Sequence, residues 1–83
     1  MYQLLIEKQV QKQLERISEP DYSRVKAAIN SLANDPRPRG YKKLKGRLGY
    51  RIRQGDYRIV YDVNDRILTV FIIAADNRKD IYD

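Results

Sequence analysis

The order of hydrophobic patterns along the chain predicts an α+β fold, a small, mainly antiparallel β-sheet with an N-terminal helical hairpin packed on one face. A short apolar segment opens the chain, two segments with helical apolar spacing follow it, and three strand-like segments fill the second half. The element order is therefore β-α-α-β-β-β. Because 83 residues suffice for only one domain, we expect residues 1–83 to form a single unit.

The first half of the chain predicts one strand and two helices. Residues 2–6 are mostly apolar and too few for a helix, so a strand is expected. A helix over residues 8–18 follows, and Pro20 then starts a second helix that ends at residues 34–36. Apolar side chains recur every three or four residues on one face of each helix. They are Val10, Leu14 and Ile17 in the first helix, and Val25, Ile29 and Leu32 in the second.

The second half predicts three strands joined by tight turns. Apolar residues alternate with Gly49, Arg51 and Arg53 over residues 48–53 and with Arg58, Val60 and Asp62 over residues 57–63, on either side of a turn at residues 54–56. Asn64 and Asp65 suit a two-residue turn, since both tolerate positive φ. Residues 66–75 are then apolar on both faces, as expected of a central strand.

Positive charge is concentrated in one part of the sequence. The chain has 17 Lys plus Arg against 11 Asp plus Glu, a net charge of +6. Residues 37–58 hold nine basic residues and one acidic residue, Asp56, a local charge of +8, so the rest of the chain sums to −2. This clustering predicts a polyanionic partner.

The residue types that are missing exclude several chemistries. Without Cys or His the chain has no disulfide, thiolate nucleophile, Cys-type zinc site or imidazole base. No carboxylate pair has metal-ligand spacing, and the glycines match no dinucleotide or phosphate-loop pattern, so neither a metal nor a cofactor is expected. The longest apolar run, residues 67–75, is far shorter than a membrane span, and no cleavable signal is visible. We therefore expect a cytoplasmic protein.

Three arginines in the predicted hairpin are candidate phosphate ligands. Arg51 and Arg53 project from one face of a strand, about 6.6 Å apart, and Arg58 lies across the turn. If the alternating tyrosines and isoleucines pack under the helices, these arginines share the open face, although any half-solvated strand alternates in this way. Guanidinium groups suit phosphate oxygens.

Further candidates flank this hairpin on both sides. Four basic residues before it are expected to steer or bind RNA, or else to provide only solubility. They are Lys42, Lys43, Lys45 and Arg47. After the last strand, Arg78 can hold a phosphate, and Tyr82 can stack on a base, move a proton or simply pack against the core.

The sequence resembles the RelE/ParE superfamily of toxins from type II toxin–antitoxin systems, over nearly its whole length. Three segments carry the resemblance: Lys43-Leu44-Lys45-Gly46, then Tyr50-Arg51-Ile52-Arg53-Gln54-Gly55-Asp56-Tyr57-Arg58-Ile59-Val60-Tyr61, then Asn77-Arg78-Lys79-Asp80-Ile81-Tyr82. The resemblance implies a RelE-like fold and a metal-independent endoribonuclease that cleaves mRNA in the ribosomal A site. It also implies a cognate antitoxin, expected to be an acidic and partly disordered protein.

In the reaction that the resemblance implies, the 2′-OH of the mRNA attacks the adjacent phosphate. Carried over by position, Arg51 and Arg53 match basic residues of the first active-site strand, and Arg58 matches a phosphate-binding arginine. Arg78 matches the arginine that stabilises the transition state, and Tyr82 the tyrosine that stacks on a base and assists proton transfer.

This sequence departs from its relatives at two positions of the motif. It has Arg where studied members have Lys on the first strand, which leaves the general base open, and Asn77 where many have His. A ParE-type toxin that inhibits gyrase without nuclease activity remains the main alternative. A basic binding module that is not toxic is the second.

Overall fold

The computed structural model describes residues 1–77, which form two helices and a five-stranded sheet. In chain order these are β1 (Gln3–Ile6), α1 (Lys8–Glu15), α2 (Asp21–Ser31), β2 (Lys42–Lys43), β3 (Tyr50–Gln54), β4 (Tyr57–Asn64) and β5 (Thr69–Asn77). The sheet order is β1-β5-β4-β3-β2; β1 runs parallel to β5 and every other neighbouring pair is antiparallel. The predicted fold class and element order are confirmed, with the two-residue edge strand β2 in addition.

Both helices place their predicted apolar face on the same side of the sheet. Val10 and Leu14 of α1, and Val25 and Ile29 of α2, are buried against strand residues there. α1 ends at Glu15 rather than at residue 18, because the amides of Arg16 and Ile17 bond three residues back and tighten the last turn. The connection to α2 consequently spans residues 16–20 and is longer than the predicted helix bounds imply. No helix within residues 1–77 is long and apolar enough to cross a membrane.

The strands of the predicted hairpin pack as the alternation requires. Ile52, Ile59 and Tyr61 are buried in the core, with Tyr50 and Tyr57 packed against it. The turn between β3 and β4 has two residues, Gly55 and Asp56, and Gly55 takes a φ of +61° at the first position. The inner face of the sheet is therefore the apolar one.

Two sequence expectations around these strands are wrong. Leu48 was expected on the apolar face, but it is 82% exposed, because residues 45–48 form a loop closed by a hydrogen bond from Leu44 N to Gly49 O. The two-residue turn at Asn64 and Asp65 is wrong as well. β4 runs to Asn64, whose side-chain oxygen accepts two amide hydrogens in a four-residue turn, and the left-handed conformation falls on Leu68.

Candidate nucleic-acid interface

The outer face of the sheet, opposite the helices, carries the three candidate arginines of the hairpin. Arg53 of β3 pairs with Arg58 of β4, and Arg58 pairs in turn with Asp76 of β5. Since directly paired residues project to the same face, these side chains form one row across three strands. Arg51 lies two residues from Arg53, on the same face. The neighbouring pair Ile52 and Ile59 points into the core, which fixes the direction of the row.

A bulge in β5 aligns Asp76 with this row. The pairing of β4 with β5 shifts between Val60 and Tyr61, so that Val60 faces Ala74 whereas Tyr61 faces Ile72. Ile73 is the extra residue in β5. Without it, the alternation would carry Asp76 to the opposite face of the sheet. The bulge thus places one carboxylate next to Arg58 in an otherwise basic row.

The three arginines differ in their exposure to solvent. Arg58 lies on the middle strand of the sheet and is 6% exposed, Arg51 is half-buried, and Arg53 is exposed. A buried charge acts through a lower effective dielectric and loses little entropy on binding, so Arg58 can interact most strongly with an anion. The row therefore has a fixed charge near its centre and more adaptable charges toward the edge strand.

The edge of the sheet beside Arg51 is concave and basic. Lys42 of β2 pairs with Arg51, so both belong to the outer face. A concavity of about 410 Å³ is lined by Lys42, Lys43, Leu44, Lys45, Arg47 and Arg51. A second concavity of about 330 Å³ is lined by Arg39, Gly40, Lys42, Arg51, Ile52 and Arg53. We refer to these two depressions together as the basic groove; it unites the four predicted RNA-binding residues with two of the hairpin arginines.

One residue of the basic segment, residues 37–58, differs in its contacts from the residues that line the basic groove. Arg37 belongs to that segment, but its guanidinium binds both carboxylate oxygens of Asp65, at 3.0 and 3.3 Å, and lies 5.3 Å from the centre of the Tyr50 ring. The Tyr2 hydroxyl donates to the same carboxylate at 2.6 Å. The hydrogen bonds from Arg37 and then Tyr2 lower the pKa of Asp65. Arg37 is thus part of an intramolecular ion pair at the protein surface, in which the Arg37 side chain is 35% and the Asp65 side chain 56% exposed.

Two predicted site residues lie outside the part of the chain that the structure describes, and one residue of the basic groove was not predicted. Arg78 and Tyr82 lie outside the described residues 1–77. Arg39 also lines the basic groove, but it was not predicted, because it lies between Pro38 and Gly40 where no strand alternation assigns it to a face. Among residues 1–77, no group of three or more acidic side chains could hold a metal ion.

Comparison with known proteins identifies the class to which this fold and basic face belong. A family model described as "ParE toxin of type II toxin-antitoxin system, parDE" matches residues 4–82. The chain therefore belongs to the ParE toxin family of type II toxin–antitoxin systems. A search of curated protein sequences finds no match.

Solved structures of RelE toxins have the same fold. A chain of the archaeal RelE–RelB complex from Pyrococcus horikoshii OT3 is 32% identical, with a TM-score of 0.83, over 96% of this chain and 98% of that chain. A chain of the RelB–RelE complex from Methanococcus jannaschii is 32% identical, with a TM-score of 0.76 and 95% of each chain covered. The isolated E. coli RelE toxin is 25% identical, with a TM-score of 0.79, over 93% of this chain and 84% of that chain. The predicted RelE-like fold and superfamily are confirmed.

Proposed function

We propose that this toxin is a ribosome-dependent mRNA endoribonuclease of the RelE type, active in the cytoplasm and inhibited by a cognate antitoxin. The observation that carries the proposal is the row of Arg51, Arg53 and Arg58 on the face of the sheet opposite the helices, with Arg58 buried at the middle strand. Two similar structures are complexes of RelE with RelB, which supports an antitoxin as partner.

The proposed reaction uses the RNA as its own nucleophile. The 2′ oxygen attacks the adjacent phosphorus, the bond from phosphorus to the 5′ oxygen breaks, and the products are a 2′,3′-cyclic phosphate and a 5′-OH end. A base accepts the proton of the 2′-OH, and an acid donates a proton to the departing 5′ oxygen, so that no net proton is gained or lost. Negative charge accumulates on the phosphate in the transition state, so positioned cations on the protein accelerate the reaction.

The arginines supply charge rather than proton transfer. Guanidinium groups are poor general bases, so Arg51 and Arg53 would hold the scissile phosphate and its neighbours without accepting a proton. Arg58 would bind a phosphate oxygen from a fixed position. In this proposal Arg78 stabilises the transition state, and Tyr82 stacks on a base and assists proton transfer. The groove residues Lys42, Lys43, Lys45 and Arg47 would attract RNA of the message or the ribosome.

A second candidate function is inhibition of DNA gyrase without RNA cleavage. It is favoured by the family model, which describes ParE toxins. A protein of this kind would not need the outer-face arginines for phosphate chemistry, so substitution of Arg53 and Arg78 would leave its toxicity intact.

The test is induction of the protein in cells, followed by primer extension on translated messages. We expect cuts within codons in the wild-type culture and none in a culture that expresses Arg53→Ala together with Arg78→Ala. Lys12→Ala, a basic residue on the exposed side of α1, is the matched control and should cleave normally. Growth arrest without cuts refutes the proposal, and DNA breaks that depend on gyrase would then establish the second function. A culture that grows normally would favour the non-toxic binding module.

A further inference from the structure

The segment between α2 and β2 is held to the sheet at two successive residues. The Tyr61 hydroxyl, from the core face of β4, donates to the carbonyl oxygen of Pro36 at 2.6 Å. The next residue, Arg37, forms the bidentate ion pair with Asp65 in the turn between β4 and β5. Its own amide is bound by the Asp35 side chain at 3.1 Å. This irregular segment is thus held by its backbone at Pro36 and by the side chain of Arg37.

A tight turn follows this anchor immediately. The Tyr41 amide donates to the Pro38 carbonyl at 3.0 Å, and Gly40 has a φ of +92° at the third position. This combination is typical of a type II turn, in which the third residue needs positive φ. Arg39 occupies the exposed second position, at the rim of the 330 Å³ concavity that Lys42, Arg51 and Arg53 also line.

We propose that the Arg37–Asp65 ion pair is a positioning device, which holds the turn so that Arg39 binds an RNA phosphate at the rim of the basic groove. Arg39 is then a further RNA-binding residue, whereas Arg37 and Asp65 act through it without touching RNA. This inference rests on the proposed RNA-binding function and adds residues to the same site.

An ordered turn reduces the entropic cost of binding RNA. A long side chain on an unanchored loop must be ordered when RNA binds, and that cost is subtracted from the binding free energy. With Pro36 and Arg37 already fixed, the turn is ordered before RNA arrives. Two interactions on consecutive residues leave little backbone freedom for the two residues that follow. Arg39 can therefore contribute its full charge to the groove.

Removal of the Asp65 charge distinguishes a positioning role from a purely electrostatic effect on RNA affinity. Asp65 is acidic, so its removal raises the net charge of the protein, and electrostatics alone would strengthen RNA binding. If Asp65 holds Arg37 and thereby Arg39, its removal weakens binding instead. Asp65→Asn keeps the size of the side chain, removes its charge and replaces one of its two acceptor oxygens with an amide donor. Asp21→Asn, on an exposed position of α2, makes the same change in net charge without touching the anchor.

The experiment measures fluorescence anisotropy of a short single-stranded RNA carrying 2′-O-methyl groups, which has no 2′-OH to attack. We expect Asp65→Asn to weaken binding by about 3- to 10-fold and Asp21→Asn to leave it equal or slightly tighter. Arg39→Ala should weaken binding similarly and lower the slope of log affinity against log salt by about 0.7, the value for one phosphate contact on a single strand. Asp65→Glu, which keeps the charge, should recover part of the loss.

A double-variant cycle separates positioning from direct contact. If Arg37 acts through Arg39, then Arg37→Ala causes little additional loss in the Arg39→Ala background. Additive losses, or an Asp65→Asn variant that binds as well as wild type, overturn the inference. Arg39 is exposed at the tip of a turn, so Arg39→Ala tests the contact even if Asp65→Asn unfolds. Absence of binding by wild type also overturns the inference, while the cleavage assay in cells decides the proposed function separately.

Discussion

Arg58 offers the sharpest test of how the outer face works, because it is a charged side chain on the middle strand and is only 6% exposed. Arg58→Gln removes the charge but keeps a polar side chain of moderate length. In the proposed reaction this variant loses a cation that faces the scissile phosphate from a fixed position. We expect a large loss of cleavage rate and a smaller loss of RNA affinity, since charge on the phosphate grows in the transition state.

The size of the effect follows from the environment of the side chain. A unit charge about 4 Å from a phosphate oxygen contributes about 4 kcal/mol at an effective dielectric of about 20, and about 1 kcal/mol in bulk water. The buried Arg58 approaches the larger value of about 4 kcal/mol, and the exposed Arg47 approaches the bulk-water value of about 1 kcal/mol. Removing one fixed donor in known enzymes costs about 100- to 1,000-fold, in line with the larger value. We therefore expect Arg58→Gln to slow cleavage by about 100- to 1,000-fold and Arg47→Ala by less than about fivefold.

The assay is single-turnover cleavage of a message on programmed ribosomes, with urea unfolding of each variant as a check on folding. Loss of Arg58 also leaves its neighbour Asp76 in a less favourable environment. The double variant Arg58→Gln with Asp76→Asn corrects for this, because it removes both charges. It should recover stability but not cleavage. Recovery of cleavage, or an Arg47→Ala variant as defective as Arg58→Gln, would refute the reasoning.

Two further predictions concern stability. Tyr61→Phe removes the hydroxyl that binds the carbonyl of Pro36, so the free energy of unfolding in urea should fall by about 1–3 kcal/mol. Burial raises the pKa of Tyr61 to about 12. The stabilisation that the neutral hydroxyl provides is therefore complete below pH 10 and is lost as pH rises toward 12. The Phe variant should lose less stability in that range, and a plot of its unfolding free energy against pH that runs parallel to wild type would contradict this. Gly49→Ala should destabilise by about 1–3 kcal/mol, because φ is +119° and the new Cβ would lie 3.2 Å from the Tyr61 carbonyl oxygen. Gly46→Ala, with positive φ but open space, is its control, and equal losses would show that the close approach is unimportant.

The local pattern predicted the parts of the fold that depend on neighbouring residues alone. The alternation around Ile52 and Ile59 assigned the faces of β3 and β4, because side chains of any extended strand alternate. The same rule failed at Leu48, where the chain is not extended. Only the hydrogen bond between Leu44 and Gly49, together with the edge strand it supports, determines that a loop lies there.

The sequence by itself therefore determined the fold class, the order of elements and the common face of Arg51, Arg53 and Arg58, since these follow from periodicity within short segments. Tertiary structure alone decided the environment of each basic residue. The burial of Arg58 comes from its strand lying in the middle of the sheet, and the pairing of Arg37 with Asp65 joins residues 28 positions apart. Such contacts depend on how distant segments pack, and local charge patterns carry no information about that packing.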